Sequence, residues 1–332
     1  MQTMKNSMFE TTESSAVFQN LAEHKDYRQL VYAAERMYGT GGFGNSLAFC
    51  VAVEGACNVI VPVRAQYIRT ILMELSMMQE NLLRLASIAE AIGYDRLSMM
   101  CWSEREYVLE ILEKLTGNRM ILSMCCAGGV RRDLNIKEMP EVMDEIDNII
   151  IKTQEIKKVF ETDKQVISRL KGLGYLSEQE AGEASVTGPG AKGSGIADDR
   201  RMLGSYGAYK YLDYSPVVET GGDCYARCMV KVREVIQSAE LVRKAAEKMP
   251  EGSICAQMPD KIEGEWIARV EQADGMDTYY IKGKGSAFLE DAGIRKAGES
   301  NEKIMYRVVN YSPEDESLVR LTLGIDDCLK ER

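Results

Sequence analysis

From Pro62 to Gly93 the chain reads PVRAQYIRTILMELSMMQENLLRLASIAEAIG, with apolar residues Ile68, Ile71, Leu72, Leu75, Met78, Leu82, Leu85 and Ile88 at steps of three and four. That period lines up one stripe of a single long helix, with Pro62 at its start and Gly93 as its stop. Met73, Met77 and Met78 read as core filler within it. A second such pattern follows Pro140, through Met143, Ile146, Ile149, Ile150, Ile156, Val159, Phe160, Ile167 and Leu170. A third runs from about Asp223 to Lys248. The expected fold class is therefore mainly α with small β elements, an α+β chain built around a helical core.

The β share is expected near the end. GEWIARVEQADGMDTYYIKGKG alternates Trp266, Ala268 and Val270 against Ile267, Arg269 and Glu271, then turns at Asp274-Gly275. Between the second and third helices lies SVTGPGAKGSGIADDRRMLGSYGAYKYLDYSP, longer than an ordinary connection and of the kind that is functional or disordered. The expected organisation is a flexible N-terminus over 1–15 and one domain over 16–332, with a helical core at about 30–250 and a β-rich part at about 260–332.

Charge and composition exclude several classes. A net charge of −10 opposes a generic nucleic-acid surface, which concentrates Lys and Arg. No apolar run is long enough to span a bilayer, and the polar start MQTMKNSMFETTESSAVFQN lacks a signal-peptide core, so a cytoplasmic location is expected. The nine cysteines suit a reducing compartment. None forms a C-x-x-C pair; the adjacent Cys125 and Cys126, and Cys224 with Cys228 on one helix face, read as core residues rather than metal ligands. His24 is the only histidine, in a polar setting, which argues against histidine-based catalysis.

Two glycine-rich loops invite a nucleotide reading and fail it. TGPGAKGSG has the order Lys192-Gly193-Ser194 instead of the G-K-[ST] that a phosphate-binding loop needs. GTGGFG, residues 39–44, lacks the preceding hydrophobic strand of a dinucleotide fingerprint. Gly39, Gly41, Gly42 and Gly44 nevertheless lead straight into an apolar helical segment, and glycines so clustered either turn the chain or let backbone approach something closely.

The segments VPVRAQYIRTILMELSMMQENLL, WSEREYVLEILEKLTGNRM, AGGVRRDL, GLGYLSEQEAGEASVTGPGAKGSGIADDRR and GEWIARVE occur in one order. In that order they resemble the signature segments of a superfamily that joins the large subunits of energy-converting [NiFe]-hydrogenases to the D-type (49 kDa-type) quinone-site subunit of complex I. The resemblance covers about residues 16–332. It implies a [NiFe]-hydrogenase large-subunit-like helical body with small β elements, peripheral on the inner face of the cell membrane. The implied partners are an iron–sulfur small subunit, which holds the cluster, and other subunits of a membrane-bound complex. It implies no nucleic acid and no membrane contact except through partner subunits.

Against the hydrogenase motif R-x-C-G-x-C-x-x-x-H the opening loop aligns from Arg36 to Asn45, placing Tyr38 and Gly41 at the cysteines and Asn45 at the histidine. At the other end GIDDCLKER keeps Asp326 and Cys328 but lacks the second cysteine. Soft thiolates hold a nickel–iron pair, so no metal and no cofactor is expected on this chain. The R-G-x-E proton-transfer element aligns with Ala16-Val17-Phe18-Gln19, without its glutamate. The complex I branch also lacks the cysteines, which leaves a quinone as an implied acceptor, yet its H-P-S-T-H-G hairpin is absent and its tyrosine position falls on Gly39.

The resemblance thus implies a cavity between loops 36–45, 187–201 and 325–332, with Arg36, Tyr38, Asn45, Thr187, Lys192, Asp326 and Cys328 as lining candidates. Tyr38, Asp326 and Cys328 are the weak catalytic candidates, and Arg36 is expected to pair with Asp326. Three readings stay open. The chain is a large subunit in electron transfer within a complex I-like or hydrogenase-related complex, or a catalytically silent coupling subunit of one. The third is an unfamiliar site using Cys328, Asp326, Tyr38 and Asn45.

Overall fold

Every residue of the stripe from Ile68 to Ile88 is buried, and so are Met73 and Met77. The computed structural model describes residues 13–37, 41–308 and 313–325. Glu13–His24 (α1) and Tyr27–Arg36 (α2) precede Gly42–Ala56 (α3), the central Val63–Ala91 (α4) and Asp95–Thr116 (α5). A small hairpin of Cys125–Cys126 (β1) and Gly129–Val130 (β2) leads to Met139–Thr162 (α6) and Lys164–Leu170 (α7). Short helices Glu178–Glu183 (α8) and Pro189–Lys192 (α9) come before Cys224–Lys248 (α10). Strands Glu265–Gln272 (β3), Gly275–Gly283 (β4) and Leu289–Arg295 (β5) and helices Ala297–Val308 (α11) and Pro313–Thr322 (α12) complete the described chain.

Helix α4 is the axis. It packs against α5 and α10, and α6 closes the bundle against α5 and α10. Beside the bundle, β3–β4–β5 form an antiparallel meander whose first hairpin pairs Glu265 with Lys282 and Gln272 with Gly275. Helix α3 lies on β3 and β4, and α1 lies on β5. Phe18 ties these layers together, edge-on to Phe49 of α3 at 5.7 Å and to Tyr279 of β4 at 6.1 Å. Such aromatic pairs add to what area burial alone contributes. Among the described residues no helix is long and apolar enough to cross a membrane.

Three sequence expectations need adjustment. The expected flexible start over 1–15 falls mostly outside the described residues, and α1 begins at Glu13. The expected β-rich end holds for the meander only: residues 297–308 and 313–322 are helical, with Ile304, Met305, Val308, Leu318 and Val319 buried at helical spacing. Cys224, Cys228 and Cys125 are core residues, but Cys126 is only partly buried.

The long excursion from 171 to 222 is ordered and anchored at its ends. Asp223 is the N-cap of α10: Oδ1 accepts from Ala226 N at 2.8 Å and Oδ2 accepts from Gly172 N at 2.7 Å. One carboxylate therefore starts the helix and fixes the beginning of the loop. Loss of a cap costs ~1 kcal/mol and a stranded buried N–H about 1–3 kcal/mol. We expect Asp223→Ala to lower unfolding free energy by roughly 2–4 kcal/mol in urea titration, and Asp223→Asn by clearly less.

Candidate functional site

The polar residues of α4 do not face water. Glu74, Gln79, Glu80 and Asn81 are buried together with the apolar stripe, and on α10 Arg227, Lys231 and Glu234 are buried likewise. Both helices therefore present a second, charged face inward. Lys231 meets the tip of the β3–β4 hairpin, from Glu271 to Asp277, whereas Glu74 meets Arg201, Gln79 meets Arg105 and Arg227 meets Thr322.

Asp274 is the pivot of that tip. Its Oδ2 accepts from Arg84 Nη2 of α4 at 2.7 Å, and its Oδ1 accepts from Lys231 Nζ of α10 at 3.0 Å. Lys231 also donates to Ala273 O at 3.2 Å and Asn81 Oδ1 at 3.3 Å. Burial raises the carboxyl's pKa, but the charges of Arg84 and Lys231 outweigh it and hold Asp274 well below the usual carboxylate range.

The glycine loops close around this tip. A Cβ on Gly41 would lie 2.8 Å from Gln272 Oε1, and one on Gly44 would collide with the same carboxamide. Gly188, at φ +62°, would put a Cβ 2.5 Å from Asp274 O, and Gly324 backs directly onto the Asp274 side chain. Backbone approaches the hairpin from three loops where no side chain fits. Gln272 Nε2 donates to Asn45 Oδ1 at 3.3 Å and to Asp277, while Lys296 Nζ reaches Asn45 Oδ1 at 2.9 Å and also pairs with Asp277. Asn45 Nδ2 is buried without a partner among the described residues.

A second cluster lies behind the tip. Lys192 Nζ donates to Glu234 at 2.8 Å, Glu271 at 2.9 Å and Asp199 at 3.1 Å. Arg201 continues it to Asp199 at 2.7 Å and Glu74 at 3.0 Å, and Tyr209 Oη donates to Glu74 at 2.5 Å. Burial disfavours the charged form of Lys192, yet Glu234, Glu271 and Asp199 outweigh it and raise its pKa well above the usual lysine value. Four carboxylates face two cations here, an excess of negative charge that low dielectric amplifies. Burial accordingly pushes Glu271 up to about 7 against the pull of Lys192. Arg201 and Tyr209 also line a recess of about 560 Å³ with Tyr214 and Asp213, where the cluster meets solvent.

The residues expected from sequence fall into two groups. Asn45, Thr187 and Lys192 all sit around the hairpin tip; Thr187 Oγ1 accepts from Met276 N at 3.4 Å, and Asn301 links Thr187 O to Leu323 O. Arg36 does not join them. It is exposed at the end of α2, and its Nη1 donates to Tyr32 O at 3.0 Å; Asp326, expected to pair with it, lies outside the described residues. Tyr38, Asp326 and Cys328 lie outside the described residues. Sequence reasoning missed Glu74, Glu80, Asn81, Arg84, Lys231, Glu234, Glu271, Gln272, Asp274, Asp277 and Lys296. Charged residues interrupting two buried helical stripes were the available signal.

A family model of the respiratory-chain NADH dehydrogenase 49 Kd subunit matches residues 91–263. The membrane-bound hydrogenase subunit alpha of Pyrococcus furiosus is 35% identical, over 92% of this chain and 75% of that protein. The chain belongs to the 49 Kd subunit family. An NADH-quinone oxidoreductase subunit of Rhizobium etli is 32% identical over 73% of the chain, which spans 60% of that relative. Among solved structures, a chain of the membrane-bound sulfane sulfur reductase, an archaeal respiratory membrane complex, superposes with a TM-score of 0.87 at 25% identity, covering 93% of this chain and 86% of the other.

In this member of the family the hydrogenase-type metal centre finds no fit among the described residues. The space beside Gly41, the position of a motif cysteine, is filled by the Gln272 carboxamide, and the surrounding donors are amides, carboxylates and an ammonium rather than thiolates. No group of three or more His, Cys, Asp or Glu side chains disposed for a metal ion occurs among the described residues.

Glu80 gives the site its pH signature. Its Oε1 accepts from Ser76 at 3.1 Å, and burial, reinforced by the charge of Asp274, pushes it up to about 7 from an ordinary 4.5. A carboxyl raised in the folded state binds its proton more tightly there than in the unfolded chain. Its contribution to stability is thus fully present below about pH 4.5 and is lost as pH rises through about 7. Glu80→Gln should therefore gain on the wild type by roughly 2.5 kcal/mol between about pH 5 and about pH 8, read from paired urea titrations. An equal difference at both pH values would contradict this.

Proposed function

We propose that this chain is the large subunit of a membrane-associated, complex I-like or hydrogenase-related respiratory complex, where it pairs with an iron–sulfur subunit in electron transfer. It does not carry the hydrogen-activating metal pair. The observation that carries the reading is the hairpin tip against the glycines that align with the metal motif, with Gln272 against Gly41 and Gly44, in a chain whose relatives include a membrane-bound hydrogenase subunit and a carbon monoxide-induced hydrogenase. Related subunits belong to multi-subunit membrane complexes, which supports assembly of this chain into one.

An uncovered apolar surface supports the partner. Ile60 is 87% exposed and Trp266 47% exposed, and together with Val51, Val59 and Val61 they line a recess of about 230 Å³ next to Glu54 and Arg69. Exposed large apolar side chains beside a recess that also carries Glu54, Gln66, Arg69 and Lys210 suit a partner surface that is part apolar and part charged. The plugged loop also favours the coupling-subunit reading over hydrogen chemistry, because the site offers charge and proton-binding groups but no thiolate among the described residues.

Expressed alone, the chain should self-associate; co-expressed with the iron–sulfur subunit of its own complex, it should elute as a heterodimer without stoichiometric nickel. Ile60→Asp should weaken that heterodimer at least tenfold. A well-behaved monomer that binds no iron–sulfur subunit, or about one nickel per chain by elemental analysis, would overturn the proposal.

A further inference from the structure

The β1–β2 hairpin carries two thiols that the electron-transfer reading does not use. Cys126 Sγ of β1 lies 3.9 Å from Cys255 Sγ, in the segment joining α10 to β3. They are far apart in sequence and held together by backbone. Gly129 bridges Cys255, Val130 N donates to Ile254 O at 2.9 Å, and Ala256 N donates to Gly128 O at 2.9 Å. These bonds fix the chain on both sides of Cys255 against the hairpin. Gly129 pairs with both Cys126 and Cys255, so the two sulfurs meet at 3.9 Å across a residue with no side chain, and closing a bond between them draws the 254–256 segment towards β1.

Access separates this pair from the buried cysteines. Cys255 is exposed and Cys126 partly exposed, as is Cys57, whereas Cys50, Cys101, Cys125, Cys224 and Cys228 are buried. Cys125, next in sequence to Cys126, points into the core. Alternation along β1 thus sends one sulfur inward and one to the surface.

We propose that Cys126 and Cys255 form a thiol–disulfide exchange site whose substrates are low-molecular-weight disulfides. The exposed Cys255 thiolate attacks one sulfur of R–S–S–R, forming a mixed disulfide and releasing one thiolate, which takes a proton from solvent. Cys126 then loses its proton, attacks Cys255 Sγ and expels the second thiol. Two electrons pass from the protein sulfurs to the reagent: one S–S bond breaks, one forms, and two small thiols leave.

The order of attack follows from the surroundings. Burial, then the neighbouring Cys255 and Cys125 sulfurs, push the Cys126 thiol up to about 12, which keeps it protonated while Cys255 is a thiol. A mixed disulfide at Cys255 carries no thiolate charge, which removes the second of these oppositions to ionisation of Cys126 and leaves burial, the largest, in place. Closing the bridge pins the 249–264 connection to a hairpin that already serves the buried Arg69–Glu54 pair. Arg69 Nη2 donates to Cys126 O at 2.8 Å, and Gly128 N donates to Glu54 Oε1 at 2.7 Å.

The test treats the purified full chain with oxidised glutathione, blocks remaining thiols with N-ethylmaleimide and reads intact and peptide masses. The expected product has lost two hydrogens, takes up two fewer maleimides than untreated protein, yields a Cys126–Cys255 linked peptide and reverts with dithiothreitol. Cys126→Ser should retain glutathione on Cys255, and Cys255→Ser should leave Cys126 unmodified over the same period. Wild-type protein that keeps both thiols alkylatable, holds glutathione at Cys255 without closing, or links a different pair would overturn the proposal.

Discussion

The carboxylate of Asp274, held between Arg84 of α4 and Lys231 of α10, is the contact on which the arrangement of the site depends. It draws the tip of a β-hairpin into the gap between a helical bundle and three glycine-rich loops. Without two cations converging on it, a charged turn could not sit there, because an unpaired carboxylate in low dielectric costs several kcal/mol. With them, the turn becomes the surface against which residues 41–45, 187–188 and 324 pack.

The same logic explains the charge spread along α4 and α10. A helix buried on all sides is ordinarily apolar all round, yet α4 buries Arg69, Glu74, Glu80 and Asn81. Each has a partner across an interface or along the helix: Arg69 with Glu54 at 2.6 Å, Glu74 with Arg201, Asn81 with Lys231, and Glu80 with Ser76. Such networks specify one register of packing, because a shift by a single helical turn would strand several charges at once. They also concentrate carboxyls whose protons bind near neutral pH, Glu80 and Glu271, next to the loops of the candidate site.

Much of the fold was legible because hydrophobic period is a local property. The stripe on α4, the long helix beginning at Asp223 and the turn near Asp274 followed from spacing alone. The helical end of the chain was not, since the β texture that begins after residue 260 was carried on to residue 332, and the decision fell to burial of Leu318 and Val319 at helical spacing. At the site, the glycines at 41 and 44 left a turn and a close approach both open, and sequence could not name Gln272, more than two hundred residues away, as what is approached. Arg36 shows a related gap: alignment with a motif gives a position along the chain, while the helix end it occupies leaves the side chain exposed and bonded to Tyr32 O.

The central claim, that the Asp274 contact organises all three loops, is tested most directly by hydrogen–deuterium exchange on Asp274→Ala beside the wild type. Removing the carboxylate should release protection together at residues 41–45, 186–192 and 323–325 while the middle of α4 stays protected, since opening of a local cooperative unit leaves the global core intact. Faster exchange confined to residues 272–277, with the three loops unchanged, would contradict the account.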